Sequence, residues 1–361
     1  EKNRSKHVLR GDTLYIGAAQ AGFALKTFDR MNDVPNKNGV YRISMYVDEQ
    51  LWHQFTCERF AFHQSRGINA HMDYAEFKLK KSSFNRCYSL PGNRVPLYDN
   101  VVNKGIVPLS TQKASKIRMV AEDIAGNASE VVFWAKQSKT QRETLERTYN
   151  YKLPYTEENI IDNGSMYLYF PKNSLYETLY LDYRMSTDFS DMMHSPVHHI
   201  HHKHTPLNKY CDIALRPSTL PDNLKYKAFV AQCDEGNSIT NVGHRWKDER
   251  LWGRIRSFGN YSIMVDTIAP RITPLRFQRN MRGKSQMTFR IEDNFATGGG
   301  AGGLKYRATV DDTWILMEYD AKYDKLLHRF DGQISSGTHT LKLSVTDAMG
   351  NTETLVREFV R

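Results

Sequence analysis

Strand-length runs in which apolar and polar residues alternate, broken by Asp, Asn, Gly and Pro, set the pattern of this chain. Alternation with that period puts successive side chains on opposite faces of a sheet. Residues 39–48 (Gly-Val-Tyr-Arg-Ile-Ser-Met-Tyr-Val-Asp) run on to Trp52, and residues 303–311 (Gly-Leu-Lys-Tyr-Arg-Ala-Thr-Val-Asp) run on to Trp314. Both end in an Asp-led turn ahead of a Trp-bearing strand, which marks the opening of two modules.

A second phrase marks where modules close. It reads Asp123-Ile124-Ala125-Gly126-Asn127, then Asp234-Glu235-Gly236-Asn237, then Asp347-Ala348-Met349-Gly350-Asn351. Each copy follows a strand-like run, and the first and third lead into another. Gly-Asn after Asp supplies the positive-φ positions of a tight turn, and the carboxylate can cap it. A calcium reading is thin, because each turn offers one carboxylate. The phrase therefore predicts the last hairpin of a sandwich module.

Together the two phrases make the first and third segments copies of one immunoglobulin-like plan. Gly39 to Gly126 spans 87 positions and Gly303 to Gly350 spans 47, so the first module carries about 40 extra residues within 55–104. An insertion of that kind is where binding is grafted onto a sandwich. Its polar residues Arg59, His63, Arg66, His71, Asp73 and Tyr74 are the candidate binding set. The middle segment reads as a different sandwich, with strands across 165–175, 177–183, 210–215, 225–233, 251–257 and 261–265. Asp266-Thr267-Ile268-Ala269-Pro270 closes it, since Ala-Pro after a strand is linker chemistry. Three consecutive β-sandwich modules of an all-β chain are expected: 11–139, 140–268 and 269–361. The one helix expected lies at 140–147. The glycine-rich stretch 298–303 lacks the Lys-Ser/Thr and following helix of a phosphate loop and reads as a flexible loop.

Composition agrees with strands: 20 Tyr, 17 Phe and 5 Trp favour pleated, half-buried surfaces. At 361 residues the chain exceeds one ordinary core. No stretch approaches the roughly 20 apolar residues of a membrane helix. The chain opens Glu-Lys-Asn-Arg-Ser-Lys-His, without an initiator Met or an apolar signal core, as expected of an exported protein after leader removal or of a fragment. A net charge of +10 invites an anionic partner, but the basic residues are scattered and lack aromatic interleaving, so nucleic acid is not expected. Cys57 and Cys87 fall in the first module, Cys211 and Cys233 in the second, which leaves two intra-module disulfides or four buried thiols open.

The densest candidate chemistry is a run of histidines: His194, His198, His199, His201, His202 and His204. His-x-His on a strand aims two imidazoles the same way; His199 with His201 and His202 with His204 both qualify, and His199 and His201 are the candidate metal ligands. The flanking Ser195-Pro196 and Thr205-Pro206 read as bounds of an exposed loop, and on that reading the tract is surface composition. The nearest upstream carboxylates are Asp188 and Asp191. No Gly-x-Ser-x-Gly or protease-type cysteine signature occurs. The adjacent acids Glu122 with Asp123, and Asp311 with Asp312, sit in expected turns.

Several of these phrases resemble a region found behind the lysostaphin-type (LytM) zinc peptidase domain of Bacteroidetes cell-wall proteins. They are residues 21–29 (Ala-Gly-Phe-Ala-Leu-Lys-Thr-Phe-Asp), 36–41 (Asn-Lys-Asn-Gly-Val-Tyr), and Phe60-Ala61-Phe62 leading to Arg66-Gly67-Ile68-Asn69. The Asp-x-x-Gly-Asn turn, residues 170–177 (Phe-Pro-Lys-Asn-Ser-Leu-Tyr-Glu) and Phe258-Gly259-Asn260-Tyr261 through Ala269-Pro270 complete the set. In that family the catalytic domain precedes these modules and takes zinc from His-x-x-x-Asp and a later His-x-His. Here His199-Ile200-His201 matches the second motif, and His244 with Asp248 matches the spacing of the first, in reversed order. The resemblance implies a non-catalytic binding and scaffolding region of an exported peptidoglycan metallopeptidase, or a relative of one. No cofactor is expected in this chain, with zinc in an upstream domain. The implied partner is cell-wall polymer or an envelope protein, in the periplasm or at the cell surface. The alternative is a zinc-dependent hydrolase built on residues 194–204.

Overall fold

The computed structural model describes residues 4–31, 34–140, 148–187, 192–233 and 238–361, with side chains from residue 12 onward. The helix expected at 140–147 lies, apart from Thr140, outside the described residues, as do Asp188, Asp191 and the turn 234–237. The described elements are overwhelmingly strands, and the chain is an all-β protein of sandwich modules. It divides into two compact units. The first comprises residues 1–159, 171–183 and 201–209; the second comprises 160–170, 184–200 and 210–361.

The first unit is built on a six-stranded sheet. Its strand order is Arg4–Ile16, Ala128–Gln137, Ser115–Glu122, Arg42–Val47, Gln50–Thr56 and Tyr98–Val101. Alternation along Arg42–Val47 and Ser115–Glu122 sends Ile43, Met45, Ile117 and Met119 to one face, where each is buried. Burying a side chain of that size contributes roughly 1.5–3 kcal/mol, so this face needs a cover. The cover comes from the short pairs Gln20–Ala21 with Val107–Pro108 and Ala24–Leu25 with Asn85–Arg86, and from Cys87, Val95 and Leu97 in the same core. The extra residues of 55–104 are therefore the module's second layer and not a dispensable appendage. They also contain helical turns at Phe62–Gly67, Ile68–His71 and Tyr74–Lys80, which the strand pattern did not anticipate. Asp73 caps the last of these by accepting from the Glu76 N–H, and Lys80 pairs with Glu76 one turn back at 2.8 Å.

Four further sheets draw most of their residues from the second unit. One has the strand order Asn159–Asp162, Met166–Phe170, Pro206–Leu215, Arg250–Ser257 and Arg245–Lys247. A second runs Tyr183–Ser186, Val197–Ile200, Gly259–Val265, Ala228–Cys233, Ile239–Gly243 and Ala296–Thr297. The C-terminal module adds two four-stranded sheets, closed over a core of Met287, Phe289, Leu326, Leu341, Leu343 and Phe359. The glycine-rich stretch is a loop, and its first residues are held against neighbouring backbone. Ala296–Thr297 pairs in parallel with Ile239–Gly243, and the Gly298 N–H donates to Asn241 O at 2.8 Å. Gly299 has φ of +60°, and a Cβ there would stand 2.1 Å from Arg254 O. Glycine is needed at that point so that two backbones can meet.

The Asp-led turns ahead of the Trp-bearing strands are two-residue hairpins with both residues at positive φ: Asp48-Glu49 and Asp311-Asp312. In each, the first Asp accepts a backbone N–H from the neighbouring strand at 2.8 Å, Lys116 in the one case and Thr340 in the other. Asp248-Glu249 is a third such turn, so Asp248 serves the hairpin between Arg245–Lys247 and Arg250–Ser257. All four cysteines carry thiols; burial pushes the Cys87 thiol up to about 12.

Candidate functional site

Within the first unit a cleft of about 350 Å³ opens between the second layer of the first module and residues 175–180 and 201–206. Its floor is fixed by backbone. The Gly92 N–H donates to Tyr176 O at 2.7 Å, and a Cβ at Gly92 would stand 2.7 Å from Leu175 O. The Tyr176 hydroxyl donates to Arg66 O at 2.6 Å and lies 3.2 Å from Asn208 Oδ1. Arg94 reaches Asn173 Oδ1 at 2.8 Å. On this floor the walls present Tyr74, Arg86, Glu177, Tyr180, His201 and His204. The lining thus combines aromatic rings with hydrogen-bonding groups of both signs, the composition of a ligand site that fixes orientation through a few polar contacts.

Two stretches singled out by their sequence, the 55–104 insertion and the histidine run, meet here. Of the candidate binding set, Tyr74 lines the cleft and Arg66 holds its floor through the backbone carbonyl. Asp73 is a helix cap whose carboxylate lies 3.8 Å from Arg86. Arg59 and His63 are exposed away from this lining. His71 is no surface contact: it is buried, stacked on Phe55 at 3.9 Å between ring centroids, with Nδ1 3.3 Å from the Tyr98 hydroxyl. Burial pushes its pKa down to about 3.

The histidine run is not the exposed loop its prolines imply. Val197–Ile200 is a strand, and its alternation buries His198, whose pKa burial pushes down to about 4. The strand ends at Ile200, and His201 takes φ of 48°, so the strand geometry that would align a His-x-His pair stops before its second member. His199 Nδ1 lies 2.8 Å from Asn260 Oδ1. The Asp182 N–H donates to His201 Nδ1 at 3.2 Å, and burial followed by the neighbouring His202 holds the His201 pKa down to about 4. His204, stacked on His202 at 5.0 Å, is also lowered, by burial first. At neutral pH the cleft therefore receives neutral imidazoles at His201 and His204. His244 is exposed, and Asp248 sits in its hairpin turn beside Lys247.

Among the described residues, the side chains that gather as a group able to hold a metal are Asp266, Asp293 and Asp347 in the second unit, with oxygens within 4.8 Å of one another. Burial, then Asp266 and Asp347, raises Asp293 to about 6, and burial raises Asp266. Lys227 stands at the same corner, donating to Met349 O at 3.0 Å and to Asn351 Oδ1. A cationic group is thus already supplied by the chain. Sequence reasoning counted one carboxylate per turn and missed this corner, because its three acids come from a linker and two separate loops. It also missed Arg86, Glu177 and Tyr180. For Tyr180 a signal existed, since Leu179-Tyr180-Leu181 alternates and sends the tyrosine outward.

Residues 150–266 match the model of the Zu5-like domain, a similarity that covers about a third of the chain. Among curated proteins, none matches this sequence. Among solved structures, the chain is similar to Sidekick-1 immunoglobulin domains 1–4 at 9% identity and a TM-score of 0.19, covering 100% of this chain and 74% of that one. It is similar to a Ca2+-stabilized ice-binding adhesin of an Antarctic bacterium at 9% identity and a TM-score of 0.17, covering 89% and 65%. It is also similar to SGBP-B of the Bacteroides ovatus mixed-linkage glucan utilization locus at 8% identity and a TM-score of 0.17, covering 99% and 64%. At such scores no functional argument follows from them. No helix among the described residues is long and apolar enough to cross a membrane.

Proposed function

We propose that this chain is a non-catalytic binding and scaffolding region of an exported Bacteroidetes cell-wall metallopeptidase of the lysostaphin type, or of a relative, and that it holds cell-wall polymer in the cleft of its first unit. The observation that carries this reading is the convergence of Tyr74 and Arg86 from the 55–104 insertion with Glu177, Tyr180, His201 and His204 around one cavity. The phrases shared with the region behind the peptidase domain support the cell-wall assignment, as does the net charge of +10, which favours a polymer bearing carboxylates. The alternative, a zinc-dependent hydrolase built on residues 194–204, would need His199 and His201 to give up the contacts of their Nδ1 atoms to Asn260 and Asp182, or to ligate through Nε2.

The test is co-sedimentation of the purified chain with insoluble peptidoglycan sacculi, followed by analysis of the supernatant. Saturable binding without release of muropeptides is expected, and Tyr74→Ala should weaken it. Chelator-sensitive release of muropeptides would contradict the reading and favour the hydrolase; absence of binding would remove the cell-wall assignment.

A further inference from the structure

We infer that the exposed face of the small sheet formed by Tyr151–Leu153 and Leu179–Leu181 is a platform for the sugar rings of a glycan strand, extending the cleft outward. The inference rests on the binding reading above and names the part of the polymer that is recognised.

The two strands pair Tyr151 with Leu181, Lys152 with Tyr180 and Leu153 with Leu179. Alternation then divides the sheet. Leu153, Leu179 and Leu181 are buried, while Lys152 and Tyr180 share the opposite, solvent face. Tyr149 joins that face: its ring packs against Tyr180 at 4.9 Å between centroids with the planes at 67°. Both rings stay open to solvent, Tyr149 at 47% and Tyr180 at 38% exposure. A buried leucine face beneath and an exposed tyrosine pair above make a rigid aromatic surface that loses little rotamer entropy on binding. Tyr180 is also a wall of the cleft, so the platform and the cavity are one continuous surface.

The chemistry on this surface selects its occupant. A helical partner would need a deep groove of aliphatic anchors, whereas the residues that continue from Tyr149 and Tyr180 into the cleft are Glu177, Arg86, His201 and His204. Planar rings beside dispersed donors and acceptors suit pyranose rings, whose axial C–H faces stack on tyrosine while their hydroxyls and acetamido groups take hydrogen bonds. Lys152 lies 5.9 Å from the Tyr180 ring centroid and makes no ion pair among the described residues. Its charge is available to the lactyl carboxylates that a glycan strand exposes where its stem peptides have been removed.

The experiment compares three probes against the full chain: intact sacculi, soluble glycan strands freed of stem peptides by an amidase, and the stem peptides alone. Glycan strands should bind, Tyr149→Ala should weaken them about tenfold, and Tyr149→Phe should retain binding because the ring face does the work. Tyr149 is about half exposed and outside the buried core, so thermal melts of the variants should stay close to the wild type. Binding of sacculi and stem peptides without binding of bare glycan would overturn the inference and leave the cell-wall reading intact, pointing to peptide recognition. Undiminished glycan binding by Tyr149→Ala would also overturn it. Failure of the wild type to bind any of the three would overturn both.

Discussion

The turns Asp123–Asn127 and Asp347–Asn351 are the same object in different settings. In each the Asp carboxylate accepts the Asn backbone N–H at 2.8 Å and the Asn side-chain amide at 2.7 Å, and the Gly sits at positive φ, 83° in the first and 78° in the second. The first turn faces solvent, with Ile124 79% exposed. The second is buried. Met349 packs in a cluster with Phe229, Ala231 and Met264, and the Asn351 amide also donates to Asp266 O at 3.1 Å. One phrase thus closes a hairpin in the first module and, in the last, also docks that hairpin onto the sheet of the middle segment. A motif that recurs for reasons of turn chemistry can acquire charged neighbours in one setting and not in the other. The cleft differs in kind, since its side chains face a cavity and not one another.

The largest expected effect separates the two turns through packing. Met349→Ala should destabilise the second unit by about 2–4 kcal/mol, as for large-to-small changes in a core, while Ile124→Ala should stay within about 0.5 kcal/mol. Urea melts of the two variants measure this. Similar losses would mean that the second turn is not docked as described.

A smaller effect should come from pH, with opposite signs in two places. Burial pushes His53 down to about 4 and His71 to about 3 in the first module. His53 has no hydrogen-bond partner for either ring nitrogen among the described residues. As pH falls below about 6.5 the unfolded chain takes up protons that the folded chain refuses, so this module loses stability between there and about pH 3–4. Asp293 is raised to about 6, so its folded form gains a proton before the unfolded chain does. Its contribution is present at low pH and is lost as pH rises through about 6. Replacing His53 with Leu should flatten the acid side of the melt profile, and Asp293→Asn should stabilise at pH 7 but not at pH 4. An Asp293→Asn variant less stable than wild type at pH 7 would contradict the account of a crowded acid corner.

The smallest effect concerns the paired hairpins Asp48-Glu49 and Asp311-Asp312. Glu49 and Asp312 hold φ of 68° and 62°, which favours glycine. Asp312→Gly should stabilise by up to about 1 kcal/mol, because the left-handed strain removed exceeds the added chain entropy. Glu49→Gly should gain less, because it also loses the ion pairs to Lys116 and Arg118. Thermal melts would show it, and destabilisation by Asp312→Gly would contradict the turn assignment there.

Much of the fold was legible because period-two alternation and turn chemistry are local. The runs 39–48 and 303–311 became hairpins with the turns where the Asp residues mark them, and the strand at 166–170 alternates between buried and half-buried positions. What sequence hid was long-range covering. Cys87, Val95 and Leu97 read as part of an insertion until the bare face of the six-stranded sheet showed what they seal. The cleft was half legible: Tyr74 and His201 stood out as residue types, but nothing in their spacing of 127 positions tells that they share a cavity. The carboxylates of Asp266, Asp293 and Asp347 were hidden for the same reason.

The central claim is that ligand meets the cleft and its tyrosine platform, not the acid corner. Hydrogen exchange of the full chain, with and without soluble cell-wall fragments released by a muramidase, tests it most directly. The account predicts slowed exchange within residues 74–90, 149–153, 175–182 and 201–206, with amides around 266, 293 and 347 unchanged. Slowed exchange confined to 266, 293 and 347, or none in any of these segments at saturating fragment, would contradict it.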